Sequence, residues 1–197
     1  MELGFLQWIN NNLHGSNSIN YVFKFITYLG EVGWACILLG IVLLFFKKTR
    51  KSGVLVLISL AIGIIVTNLI VKPVVARPRP FAEDPSFVAF LQSINYKLPS
   101  EFSFPSGHAQ VAFNSAMVMA LLYKGKGCWA FLPAGLIAIS RIFLCVHYPT
   151  DVLAGMLIGV ISALITCLLI SKLIDKLVEK YKLKHSKDKQ KADNESI

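Results

Sequence analysis

The sequence predicts an all-α, polytopic membrane bundle of about five spans, preceded by short interfacial helices. Three observations carry that expectation. The 197-residue chain is 55% hydrophobic with a mean hydropathy of +0.61, too apolar for a water-soluble domain. Apolar runs recur at 31–46, 53–71, 106–123, 128–146 and 152–171, near the length of about 20 residues that a helix needs to cross a hydrocarbon core. Basic residues then gather in alternate connections, as the positive-inside rule requires of cytoplasmic loops.

Residues 3–13 and 19–29 are apolar but too short to cross, and Asn10-Asn11-Asn12 and Gly15-Ser16-Asn17 separate them. The segment 1–30 is therefore expected at the interface, with Trp8, Tyr21 and Tyr28 in the headgroup zone. No basic segment followed by a long apolar run stands at the N-terminus, so no cleavable signal peptide is expected. The run at 31–46 is short, and Lys47 and Lys48 extend it by snorkelling.

Lys47, Lys48, Arg50 and Lys51 follow the first span, Lys124 and Lys126 separate the third from the fourth, and a lysine-rich tail follows the fifth. Alternating spans put all three on the cytoplasmic side. The net charge of +9 thus reads as a topology signal and not as a nucleic-acid surface. Residues 1–183 form one membrane unit, and the polar tail 184–197 is expected to be disordered and cytoplasmic.

Residues 72–105 form the long external connection. Pro73, Pro78 and Pro80 are expected to end the second span just past Lys72 and to hold residues 76–80 extended. Phe87, Phe90, Leu91 and Ile94 have helical spacing, which predicts a short amphipathic helix over 86–98. It either lies on the membrane, where it would guide a lipid chain, or packs against the bundle. Cys36, Cys128, Cys145 and Cys167 lie in or beside apolar runs and form no CxxC pair. They read as small buried side chains, with neither a zinc site nor a disulfide framework.

Three polar islands stand at the ends of these runs: Lys72 to Pro80, Pro105-Ser106-Gly107-His108, and Ser140-Arg141 to Asp151. The topology puts all three on the outer surface. Charge beside lipid is costly and marks a site that handles something polar. Ser106 is placed to cap the third span, whose first amides and Gly107 would face an anion. Lys72, Arg79 and Arg141 supply donors that match phosphate oxygens, with pairing to Glu83, Asp84 or Glu101 as the structural alternative. Arg77 is divided between such a pairing and contact with a second phosphate. His147 and Asp151 are four apart around the helix-start signal Pro149, so the carboxylate can fix the imidazole tautomer and leave the other nitrogen free to attack.

Lys-x6-Arg-Pro, Pro-Ser-Gly-His and Ser-Arg-x5-His-x3-Asp, in this order, resemble the tripartite signature of the type 2 phosphatidic acid phosphatase superfamily. The motifs cover residues 72–151, and every signature position is filled. The familiar six-span members carry a further N-terminal helix that this chain is expected to lack. The resemblance implies a lipid phosphatase without metal or other cofactor, in a bacterial-type plasma membrane, with its site on the extracytoplasmic face. It implies attack by His147, oriented by Asp151, with His108 as acid and then base. Lys72, Arg79, Ser106, Gly107 and Arg141 would bind phosphate.

The expected substrate is undecaprenyl diphosphate, ahead of phosphatidylglycerol phosphate or phosphatidic acid. Three other readings compete. A metal held by His108, His147 and Asp151 would sit among three cations, which is electrostatically poor. A lipid-phosphate or anion carrier would be expected to show internal repeats, and none is visible. A haloperoxidase is disfavoured because the known forms are soluble.

Overall fold

The computed structural model describes residues 1–176 and 178–181, and all regular structure among them is helical. The expected tail, 184–197, lies outside the described residues. In chain order the α-helices are α1 (Glu2–Leu13), α2 (Asn17–Leu29), α3 (Trp34–Phe45), α4 (Arg50–Ile64), α5 (Lys72–Val75), α6 (Pro80–Glu83), α7 (Pro85–Ser93), α8 (Gly107–Tyr123), α9 (Phe131–Phe143) and α10 (Pro149–Ile165).

By length and composition, three helical stretches among the described residues can cross a membrane: Arg50–Glu83, Gly107–Phe143 and Pro149–Tyr181. A fourth appears if Asn17–Leu29 and Trp34–Phe45, bent by 48° from one another, make one broken span. The expected count of five is not reached on this measure. One reason is that Gly107–Phe143 is continuous in helical hydrogen bonding but not in direction. At Lys124 the backbone turns to φ 51°, and a 3-10 stretch, Lys124–Ala130, leads into α9. Ala109 then packs with Ala138, and Ala112 and Ala116 with Ala134 and Ile137, so α8 and α9 run side by side. The second reason is that 19–29 is continued by α3 across a short 3-10 turn, Glu31–Gly33.

The helix leading to Lys72 does not stop there. A π-helical stretch, Ile65–Val71, passes into α5, which ends three residues beyond Lys72 where Ala76 takes φ 47°. Pro73 brings no N–H, and the wider π ladder just upstream accommodates it where a regular α ladder would be broken.

At the centre, α8 packs on α4, α9 and α10. Gly155 and Gly159, one turn apart on α10, permit the closest approach. A Cβ on Gly155 would lie 2.3 Å from the Ser106 carbonyl oxygen, and one on Gly159 would lie 2.4 Å from that of Gln110. Small residues at this spacing let membrane helices pack backbone to backbone. Asn114 of α8 joins α4 and α10, donating to the carbonyls of Ser59 and Gly159 while accepting from Ser59 Oγ at 2.8 Å.

The amphipathic helix exists as α7, and it resolves the alternative left open above. Phe87, Phe90, Leu91 and Ile94 are buried with Leu6 and Ile9 of α1 and with Phe143 and Leu144. Its apolar face is packed inside the protein and is not free to meet a lipid chain. Asp84 caps it by accepting from the Ser86 amide at 2.9 Å. Of the cysteines, only Cys145 is buried; Cys36 and Cys167 are half-buried and Cys128 is exposed.

Candidate active site

The three islands, separated by up to 79 positions in sequence, meet at one end of the bundle around a cavity of about 360 Å³. Lys72, Arg79, Gly107, His108, Arg141 and His147 line it, with Asn68, Tyr96, Lys97 and Glu101. Each comes from the end of a helix or from the segment just beyond. Lys72 opens α5, Gly107 and His108 form the first turn of α8, Arg141 lies in the last turn of α9, and His147 stands two residues before α10. The Ser106 amide donates to the Asp151 carbonyl at 2.9 Å, which ties the second island to the third.

Asp151 lies behind His147. It is completely buried, and His147 is 2% exposed. Its Oδ2 accepts from Ser103 Oγ at 2.5 Å and from the Tyr148 amide at 2.9 Å, and lies 3.5 Å from His147 Nδ1. Ser103 Oγ is also 3.5 Å from that Nδ1, so the hydroxyl and the carboxylate oxygen stand side by side against the imidazole. Asp151 occupies the third position of α10 and completes its capping box, whereas His147 precedes the helix. The two share the helix entrance, although residues 147–151 do not form a single first turn.

His147 Nε2 faces the cavity, 3.3 Å from Arg79 Nη1. Burial holds this imidazole well below the usual histidine range, reinforced by the charges of Arg79, Arg141 and Lys72, while Ser103 pulls modestly the other way. A neutral ring with its Nδ1 side engaged leaves Nε2 as the nitrogen with an available lone pair.

The cations are built in rather than mobile. Arg79 donates to the carbonyls of Glu101 and Val146, at 2.6 and 2.9 Å. Arg141, 1% exposed, donates from Nη1 to Thr27 Oγ1 at 2.5 Å and to Tyr96 Oη at 2.8 Å, and its Nε has no hydrogen-bond partner among the described residues. Lys72 is paired with the Glu101 carboxylate. That ion pair holds the Glu101 carboxyl below the usual carboxylate range. Across the cavity, the buried His108 Nε2 has no protein hydrogen-bond partner among the described residues. Ser106 is fully buried and caps α8 through the Ala109 amide, 3.5 Å away, while Gly107 lines the cavity.

Arg77 goes to the opposite side of Asp151, away from the cavity. Its Nη1 donates to Asp151 Oδ1 at 2.7 Å, its Nη2 to Glu2 Oε2 at 2.8 Å, and its guanidinium stacks 3.8 Å over the Tyr148 ring. The divided expectation for Arg77 thus resolves to pairing, although with Glu2 and Asp151 and not with the nearby acids. Sequence reasoning missed Ser103, Thr27 and Tyr96. None falls in a charged island, and only Ser103, three residues before Ser106, stands near a motif.

Two histidines and three cations thus line one polar cavity at an end of an all-helical bundle. The chain belongs to the PAP2 superfamily, whose sequence model matches residues 52–175. It is 38% identical over 118 residues to an undecaprenyl-diphosphatase of Sulfolobus acidocaldarius, covering 59% of this chain and 54% of that protein. It is 25% identical over 142 residues to a lipid A 4'-phosphatase of Porphyromonas gingivalis, covering 66% of this chain and 59% of that one. The alignments thus span little more than half the length of these relatives. In three dimensions it resembles the crystal structure of a transmembrane PAP2-type phosphatidylglycerolphosphate phosphatase from Bacillus subtilis. The TM-score is 0.65 at 26% identity, with 87% of this chain and 85% of that one covered.

Proposed function

We propose that this protein is a membrane lipid phosphatase that works through a phosphohistidine on His147. The observation that carries the reading is the shared cavity: His147, His108 and the cationic side chains of Lys72, Arg79 and Arg141 all line it, and His108 Nε2 has no hydrogen-bond partner among the described residues. A terminal phosphate among Lys72, Arg79 and Arg141 would have its equatorial oxygens neutralised by groups already held in place. His147 Nε2 attacks phosphorus, and the bond from phosphorus to the lipid-side oxygen breaks. His108, having taken up a proton along with the negatively charged substrate phosphate, gives its Nε2 proton to that leaving oxygen. Neutral His108 then takes a proton from water as the water oxygen attacks the phosphohistidine, and inorganic phosphate leaves.

Lys72 must exchange Glu101 for the phosphate, so binding replaces an internal anion with an external one. The same crowding of positive charge disfavours a metal ion in the cavity, and the proposed chemistry is metal-independent.

The proposed substrate is a polyprenyl diphosphate of the undecaprenyl kind. Support comes from the 38% identity to an undecaprenyl-diphosphatase. The likeness to proteins named for lipid A and for phosphatidylglycerol phosphate makes those lipids the direct competitors. We further propose five crossings, with α8 and α9 as separate spans, the cavity extracytoplasmic and the C-terminus cytoplasmic. The basic loops at 47–51 and 124–126 support that orientation.

Phosphate release by purified protein in a chelator, from undecaprenyl diphosphate, phosphatidylglycerol phosphate, phosphatidic acid and lipid A in one detergent, tests the reading. Release with the diphosphate preferred is expected. Preference for another lipid by tenfold in kcat/KM, about 1.4 kcal/mol, overturns the substrate, and no release from any overturns the activity. Impermeant labelling of single cysteines in intact cells should reach position 93 and not position 49.

A further inference from the structure

A second cavity, of about 210 Å³ and almost wholly apolar, opens between α3, α8 and α9. Ala35 and Cys36 of α3, Ala112 and Ala116 of α8, and Ala134 and Ile137 of α9 line it. Small side chains on three adjoining helices create this groove; larger ones at the same positions would close it.

The groove adjoins the catalytic cavity along two elements. On α8, Val111 lines the cavity and the next residue, Ala112, lines the groove. At the bend from α2 to α3, Gly30 and Gly33 line the cavity while Leu29 and Ala35 line the groove. Gly30, Ile137 and the His108 ring meet between the two spaces. A Cβ on Gly30 would stand 2.8 Å from Ile137 Cγ2 and 3.0 Å from His108 Cδ2. The groove therefore abuts the His108 side of the cavity. The His147 side is closed by Ser103, Tyr148 and Asp151, all buried.

We propose that this groove binds the first segment of the substrate's hydrocarbon chain. The proposal rests on the lipid phosphatase reading above. In that reaction the lipid is the leaving group, and its bridging oxygen must meet His108 Nε2. The hydrocarbon, joined to that oxygen through the remaining phosphate of a diphosphate or directly in a monoester, leaves the cavity on the His108 side, which the apolar groove adjoins. With α7 buried face-inward, the groove takes over the chain-guiding role that the sequence suggested for residues 87–94. Occupation by the substrate's chain, unlike occupation by bulk lipid, depends on the phosphate being anchored in the cavity.

The test uses the full chain in phosphatidylcholine nanodiscs with a polyprenyl phosphate carrying a diazirine in its first isoprene units. Photolysis should crosslink residues 35–36 and 112–119. Vanadate at roughly ten times its dissociation constant should cut that labelling about tenfold, because it takes the phosphate site. Groove labelling that vanadate leaves unchanged, or that a diazirine lipid without phosphate reproduces, would assign the groove to bulk lipid and overturn the proposal. So would labelling confined to other surfaces.

A second arm is Ala35→Phe, which fills the groove away from the catalytic residues. It should lower kcat/KM for the long-chain substrate about tenfold, the order that pocket shape commands. Hydrolysis of a water-soluble short-chain phosphate ester should stay within about twofold. Equal loss on both substrates would count against the groove. Absence of turnover in the wild type would reject the phosphatase reading, while the crosslinks, which need no turnover, still decide the groove.

Discussion

The two histidines of the cavity live in opposite surroundings. His147 is fixed on one side by Asp151 and Ser103, and its other nitrogen is held 3.3 Å from Arg79. His108 has a buried Nε2 with no protein partner among the described residues. The difference matches two demands on a phosphoryl-transfer site. A nucleophile has to be aimed, because in-line attack tolerates little misplacement. A group that first gives and then takes a proton has to exchange partners, so a permanent one would hinder it. Asp151 shows the scale of the first investment, since its two oxygens receive Arg77, Ser103 and the Tyr148 amide as well as facing His147.

The largest effect expected from breaking this contrast is at the aimed histidine. His147→Ala should lower kcat by roughly 10⁴-fold or more on every lipid phosphate, as loss of a nucleophile does. Wild-type-like turnover in that variant, measured as phosphate release, would remove His147 from its role. His108→Ala should cost about 10²–10⁴-fold on the natural lipid. With an ester whose alcohol leaves without protonation the loss should be much smaller. Equal losses on both esters would show that His108 is not the acid.

Ser103→Ala sharpens the comparison, because it touches only the His147 side. We expect about a 10–100-fold fall, the range for a residue that orients another. It should appear in kcat while KM is largely kept, and Ser103→Thr should restore part of it. A change confined to KM would mean that the hydroxyl serves binding instead.

The acid limb of kcat/KM carries a related signature. His147 takes up its proton less readily in the folded chain than in the unfolded one, so stability and nucleophile are both intact above the usual histidine value of 6.5. Stability then falls progressively as pH drops from 6.5 to the lower folded value, whereas the nucleophile is protonated only at that lower value. A limb centred at 6.5 would contradict a buried neutral His147.

The smallest effect is at the rim. Glu101→Gln frees Lys72 from its carboxylate and should lower KM by up to about fivefold, since a partly exposed ion pair is worth at most about 1 kcal/mol. An unchanged KM would mean that phosphate never competes with Glu101.

The cavity residues were legible in the sequence because charge at the edge of a membrane is conspicuous, and because alternating basic loops bring distant islands to one face. Lys72, Arg79, Gly107, His108, Arg141 and His147 all line the cavity as that logic requires. Ser103, Thr27 and Tyr96 were not legible: they act as hydrogen-bond partners at fixed angles, and composition carries no angles. Arg77 was half legible. Its charge was plain, but its partners Glu2 and Asp151 lie 75 and 74 positions away, and only the docked N-terminal helix puts Glu2 there. The apolar spacing of α7 was read correctly. Spacing alone, however, does not say whether an apolar face meets lipid or protein, and here α1 covers it. The span count suffered from a similar ambiguity, because helical hydrogen bonding persists through the reversal at Lys124–Ala130.

The most direct test of the central claim is to trap the covalent intermediate. His108→Ala should be mixed with a phosphate-labelled ester bearing a good leaving group, quenched in alkali, and its phosphorylated peptide sequenced. Label on His147, alkali-stable and acid-labile, released as inorganic phosphate on longer incubation, is the predicted result. Label on any other residue, or turnover that proceeds with no phosphoenzyme at all, would contradict the account.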